Sequence, residues 1–136
     1  MLSTALAKPL DAHLLYFVLV DRFFDQKENE KNDPNIQPFD DVKFHGGDFL
    51  GIVEKMDHLE SMGVDALWLS PIFHMRHEDF HGHGAYHGYW LHDMEAIEAY
   101  FGGKEDLNIL LGVPPPHAVF AYRVPRWRVW LIPRTA

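Results

Sequence analysis

Two short apolar runs constrain this chain more than any other feature: Leu14–Val20 (LLYFVLV) and Val64–Leu69 (VDALWL), separated by residues 21–63. Apolar runs of this length, closed by turn residues, predict strands buried on both faces of a parallel sheet. Between them, Asp48 predicts the N-cap of a helix reaching about Met62. Its apolar positions Leu50, Ile52, Val53, Met56, Leu59 and Met62 fall mostly at helical spacing, and Gly63 supplies the stop. Asp21–Asp41, with Asn29, Asn32, Asp33, Pro34, Asn35 and Pro38, reads as a long loop. Residues 72–94 form a second long connection, rich in aromatics and histidine. Lys104–Leu111 begins another helix behind Gly102 and Gly103. This order of strand, helix, strand, helix predicts an α/β fold with a parallel sheet and right-handed crossovers.

The chain changes character near Leu111. All 20 acidic residues lie at or before Asp106, whereas residues 112–136 hold Arg123, Arg126, Arg128 and Arg134 and no acid. Pro114, Pro115, Pro116, Pro125 and Pro133 fall there too, and a proline run cannot continue a helix. Residues 1–111 therefore read as one domain portion, and 112–136 as a Pro/Arg-rich tail. Such a tail is either a disordered or interaction segment or a stretch translated out of frame. The second expectation has a specific motive. The codons of His117–Tyr122, reread from the last base of the Pro116 codon, permit Ala-Arg-Gly-Ile-Arg-Val, the lead-in to a third strand that the family resemblance set out below implies at this place.

Composition narrows the partners. A formal net charge of −8 excludes a general nucleic-acid binder, whose phosphates require a basic face. No run of 18 apolar residues is present, so no membrane span is expected. The N-terminal MLSTALAKPLDAH lacks a basic n-region with a long h-region, so no signal peptide is read. With no cysteine, disulfides, thiolate metal sites and cysteine nucleophiles are all excluded.

Three blocks carry a resemblance. Tyr16–Phe23 (YFVLVDRF), Phe44–Phe73 (FHGGDFLGIVEKMDHLESMGVDALWLSPIF) and Ala85–Leu107 (AYHGYWLHDMEAIEAYFGGKEDL) follow one another in order and at proper spacing. Together they resemble the first strand, the Gly-Gly-Asp helix with its Trp-Leu-Ser-Pro strand, and the Tyr-His-Gly-Tyr-Trp loop of the α-amylase family, glycoside hydrolase family 13. The resemblance covers about residues 14–111. It implies the N-terminal portion, about two βα units, of an incomplete TIM (β/α)₈ barrel. It also implies an α-glucan or maltooligosaccharide as the partner.

By this resemblance Tyr89 is the platform that stacks on a sugar ring, and His87 binds a hydroxyl. Trp90 stands where some oligosaccharide-specific relatives have Asp, which places the chain nearer polysaccharide- or dextrin-acting members. Gly88 lets the backbone pass close between them. Asp93 is a supporting residue of the loop and takes no catalytic role. Some members bind calcium through the loop after the first strand plus the Gly-Gly-Asp. Here Asp25, Asn32, Asp33, Gly47 and Asp48 offer the hard oxygen ligands that calcium prefers. Gln26 and Lys27 depart from that pattern, standing where those members favour Gly and an Asn or Asp, and Glu28–Lys31 lengthen the loop. A solvated loop with a helix cap at Asp48 is the bland alternative.

Six of the ten histidines, His74, His77, His81, His83, His87 and His92, fall in one stretch. They could bind zinc, but no nearby acid completes a motif, so zinc is not the reading adopted. Family chemistry uses a nucleophilic Asp, an acid/base Glu and a third acid, which the resemblance places after later strands. The catalytic set of this chain is therefore none. The expected function is an α-amylase-type domain, truncated and inactive by itself, with a non-catalytic carbohydrate-binding or barrel-completing fragment as the alternative.

Overall fold

The structure is a computed structural model that describes residues 14–27, 33–64 and 66–113 and the backbone of 118–121. The first apolar run forms β1 (Leu15–Val18), shorter than the expected Leu14–Val20. It stops because Val20–Phe23 turns into a single helical turn, α1, with the Arg22 amide donating to the Leu19 carbonyl at 3.0 Å. The carboxylate of Asp21 fixes that turn by accepting the amides of His45 and Gly46.

The expected helix from Asp48 is present as two segments, α2 (Phe49–Glu54) and α3 (Met56–Ser61), that meet at Lys55. Asp48 caps α2, its Oδ1 accepting the Gly51 amide at 2.6 Å. The hydrogen-bond ladder continues across the kink, Lys55 N–H to Gly51 and Leu59 N–H to the Lys55 carbonyl. Gly63, at φ +80°, ends α3 in the left-handed conformation that glycine adopts without strain.

The second run forms β2 (Ala66–Leu69), parallel to β1 with Phe17 opposite Trp68. The Val20 amide donates to Ser70 Oγ at 3.1 Å, and the Ser70 amide to the Val18 carbonyl at 2.8 Å, so the ends of both strands are tied. The connection expected over 72–94 is more ordered than the sequence reading. It contains β3 (Phe73–Met75) and β4 (Leu91–Ile97), paired antiparallel. Helix α4 then covers Gly103–Gly112, one residue beyond the expected boundary at 111.

A third parallel strand, β5 (Ala118–Ala121), lies beside β2, giving the order β1-β2-β5. This corrects the expectation of two strands: the apolar stretch after the prolines is extended and pairs with the free edge of β2. The rest of 114–136 lies outside the described residues, as do the N-terminal residues 1–13 on which the signal-peptide reading rests.

One face of the sheet packs Val18, Leu67 and Leu69 with Phe49, Ile52, Leu59, Phe101 and Leu110. Burial at about 25 cal/mol per Å² of apolar surface makes this cluster the main stabilising element. The opposite face is open: Leu15, Phe17 and Trp68 are 48%, 47% and 42% exposed, and the last two meet edge to face at 5.3 Å. Burial on both faces, as the apolar runs predict, holds for β2 only in part and for β1 only at Val18. Among the described residues no helix is long and apolar enough to cross a membrane.

Candidate functional site

Both long connections leave the C-terminal ends of β1 and β2, and they pack on each other. The Gly84 amide donates to the Val42 carbonyl at 2.7 Å, Lys43 pairs with Asp79, and the Arg22 guanidinium lies 3.7 Å over the Tyr86 ring. The turn carrying His87, Tyr89 and Trp90 is wedged against Pro71, two residues past the end of β2. Gly88 has φ +82°, and a Cβ there would stand 2.3 Å from the Pro71 carbonyl oxygen, so only glycine fits.

On this turn Tyr89 is 56% exposed and Trp90 37% exposed. The His87 ring is near-parallel to Tyr89 at 5.8 Å and edge-on to Trp90 at 4.8 Å. The Tyr89 amide donates to His87 Nδ1 at 3.0 Å, which leaves the ring proton on Nε2. Burial lowers the pKa of His87, so the neutral ring offers one N–H donor. Trp90 also meets Phe80 edge-on at 5.6 Å and helps line a cavity of about 330 Å³ with Arg76, Phe80, Leu91 and His92. Its volume is at the lower end of the range for small-ligand sites. Exposed rings beside a neutral donor are the equipment for an uncharged, hydroxyl-bearing ring with an apolar face.

The carboxylates of the first loop have separate roles. Asp21 is buried, and burial raises its pKa although the His45 and Gly46 amides and Arg22 all favour the ion. Asp48 is raised chiefly by burial, with the charge of Asp25 adding to it; the Gly51 and Lys27 amides oppose the rise. Asp25 stands close by, its Oδ2 3.2 Å from where a Cβ on Gly46 would lie. Asp33 faces elsewhere, accepting the Asn35 amide at 2.8 Å and the Tyr100 hydroxyl at 2.8 Å. Asn32 lies outside the described residues.

The family described as "Alpha amylase, catalytic domain" matches residues 17–113, most of the chain. The chain belongs to the α-amylase family. The periplasmic alpha-amylase of Escherichia coli (strain K12) is 37% identical over 127 residues, covering 80% of this chain and 18% of that protein. The cyclomaltodextrin glucanotransferase of Klebsiella oxytoca is 32% identical over 119 residues, with the same coverages of 80% and 18%. Among solved structures, an Anoxybacillus alpha-amylase superposes with a TM-score of 0.68 at 36% identity, over 79% of this chain and 23% of that one. The chain thus spans under a fifth of the two sequence relatives.

Members of the α-amylase family often bind calcium, and the residues here fit such a site in part. Asp25 lies close enough to Asp48 for its charge to raise the Asp48 pKa, and Gly47, between His45–Gly46 and Asp48, packs so that a Cβ there would stand 2.3 Å from the Val20 carbonyl oxygen. Asp33 does not complete a trio with them. Among the described residues the one group of three or more such side chains within 4.8 Å is His74, His77 and Glu98. Lys27, already a departure in the sequence, donates its amide to Asp48 Oδ2 and pairs with Asp106. His81 and His83 are exposed and belong to the small turn bridging Phe80 and His83.

Sequence reasoning missed three participants. Ser70 ties the strand ends and Asp21 fixes the turn after β1 to the His45–Gly46 amides; the family blocks contain both, which was the available signal. Glu98 joins His74 and His77 through the β3–β4 pairing, which local spacing does not reveal.

Proposed function

We propose that this chain is the N-terminal portion of an α-amylase-type (β/α)₈ barrel and supplies one wall of an α-glucan or maltodextrin site. The observation that carries the reading is the exposed Tyr89 ring beside His87 and Trp90, on a turn seated at the end of β2. Active sites of such barrels lie at the C-terminal ends of the strands. In this reading Tyr89 stacks on the C–H face of a glucose ring, and His87 Nε2–H donates to a hydroxyl. Trp90 extends the apolar platform toward Phe80. Residues 1–111 form the domain portion, and 112–136 the Pro/Arg-rich tail, whose reading as out of frame stays a proposal resting on composition.

Calcium, where bound, would be held by Asp25, Gly47 and Asp48, with Asn32 and Asp33 as the further residues of the proposed set. It would supply fixed positive charge beside two carboxylates that otherwise repel. No residue of this chain is assigned the role of nucleophile or general acid, so the proposed contribution is binding and not turnover. Hydrolysis and transfer of α-glucosidic bonds are the activities in its relatives' names. The exposed Leu15, Phe17 and Trp68 support the second reading, a barrel-completing piece, because an apolar strand face of this kind suits further strands.

Affinity electrophoresis tests the first reading. Migration should slow in a gel containing soluble starch and not in one containing a β-linked glucan. Equal migration in starch-containing and starch-free gels would contradict it.

A further inference from the structure

We propose that His74, His77 and Glu98 form a site for a divalent transition-metal ion of the zinc class, pinning the base of the loop that carries Tyr89 and Trp90. The three residues are separated in sequence but meet because β3 and β4 pair, Phe73 standing opposite Ile97. Their ligand atoms all lie within 4.8 Å of one another. The Glu98 side chain is fully buried, and its ion partners among the described residues are imidazoles. Its Oε1 lies 2.7 Å from His77 Nε2 and accepts the Tyr100 amide; its Oε2 lies 3.3 Å from His74 Nδ1 and accepts the Met75 amide.

A fully buried carboxylate is costly unless a positive charge compensates it as well as hydrogen bonds. A divalent ion held between the carboxylate and the two imidazoles supplies such a charge. Tetrahedral zinc with bonds of about 2.0–2.2 Å places its ligand atoms about 3.4 Å apart. The present separations, 2.7 Å from Glu98 Oε1 to His77 Nε2 and 3.3 Å from Glu98 Oε2 to His74 Nδ1, bring the ligand atoms to about that spacing. Each imidazole then turns a bare nitrogen to the ion and keeps its proton on the other. Two imidazoles and one carboxylate are a borderline donor set that suits zinc, whereas calcium requires six to eight oxygens.

The surroundings hold the ligands in place. His77 stacks on Tyr100 at 4.0 Å and 10°, and Tyr100 is anchored through its hydroxyl to Asp33. Such outer contacts orient metal-bound imidazoles. His74 and His77 remain 34% and 28% exposed, which leaves a path for an ion to enter.

The test is calorimetric titration of the chelator-treated chain with zinc chloride. One saturable equivalent is expected, weakened at least about tenfold by Glu98→Gln and by the His74→Ala/His77→Ala double variant. The His81→Ala/His83→Ala double variant should bind as the parent does. An unfolded chain would bind through any of its ten histidines and lose as much from one pair as from the other. Equal losses in the two double variants, no loss with Glu98→Gln, or no saturable binding by the parent would each overturn the proposal.

Discussion

The Tyr100 hydroxyl donates to Asp33 Oδ2 at 2.8 Å across 67 residues, joining the loop after β1 to the segment that leads into α4. Asn35 donates to the same hydroxyl at 3.2 Å, so the phenol is both donor and acceptor. Tyr100→Phe removes both bonds and should lower unfolding free energy by about 1 kcal/mol, read from denaturant midpoints. Burial and the bond to Asp33 push the Tyr100 pKa up to about 12, above its ordinary 10. With the folded value raised, its contribution is present below pH 10 and is lost as pH rises through about 12. The Phe variant should lack that alkaline loss, and an identical loss in both proteins would contradict the assignment.

Asp48 separates capping from charge. Asp48→Ala should cost about 0.5–2 kcal/mol, the usual range for an N-cap, while Asp48→Asn keeps an acceptor for the Gly51 amide. Because burial raises the folded pKa, the stabilising contribution of the protonated Asp48 carboxyl is fully present below the ordinary 3.8 and is lost as pH rises through the folded value. The Asn variant, which never ionises, should therefore gain stability relative to the parent as pH rises from 3 to 7. A parent-minus-Asn difference that does not change with pH would show that burial of the charge has no cost here.

Calcium adds a second readout at the same residue. If Asp25, Gly47 and Asp48 hold the ion, millimolar calcium should raise the parent's melting temperature by mass action on the folded state. The Asp48→Asn variant should respond more weakly. Unchanged melting with calcium and with chelator would reduce these residues to loop and cap.

Gly88 tests the seating of the aromatic turn. Gly88→Ala places a Cβ 2.3 Å from the Pro71 oxygen at φ +82°, so the turn must shift. A cost of about 1–3 kcal/mol and loss of starch retardation together are expected. Retardation equal to that of the parent would show that the turn is not positioned by this contact.

How far the sequence reached follows from the range of each signal. Apolar runs and the Asp48 cap located β1, α2, α3 and β2, because their patterns are local. The turn at Val20–Phe23 was not legible, since it depends on Asp21 capturing amides 24 and 25 residues away. The β3–β4 pair escaped notice because Leu91–Ile97 carries His, Asp and Glu on largely exposed positions, without the alternation that marks a half-buried strand. β5 was masked by the preceding prolines. At the site, the aromatic turn was legible from the motif, whereas the meeting of Glu98 with His74 and His77 required knowing which strands pair.

The central claim is that Tyr89 is a sugar platform, and calorimetric titration with maltoheptaose tests it most directly. Saturable binding is expected for the parent, with Tyr89→Ala weakening it about tenfold, equivalent to about 1.4 kcal/mol. His87→Ala should weaken it less, and a β-linked heptasaccharide should give no saturable signal. Absence of saturable binding by the folded parent, or equal affinity in Tyr89→Ala, would contradict the account.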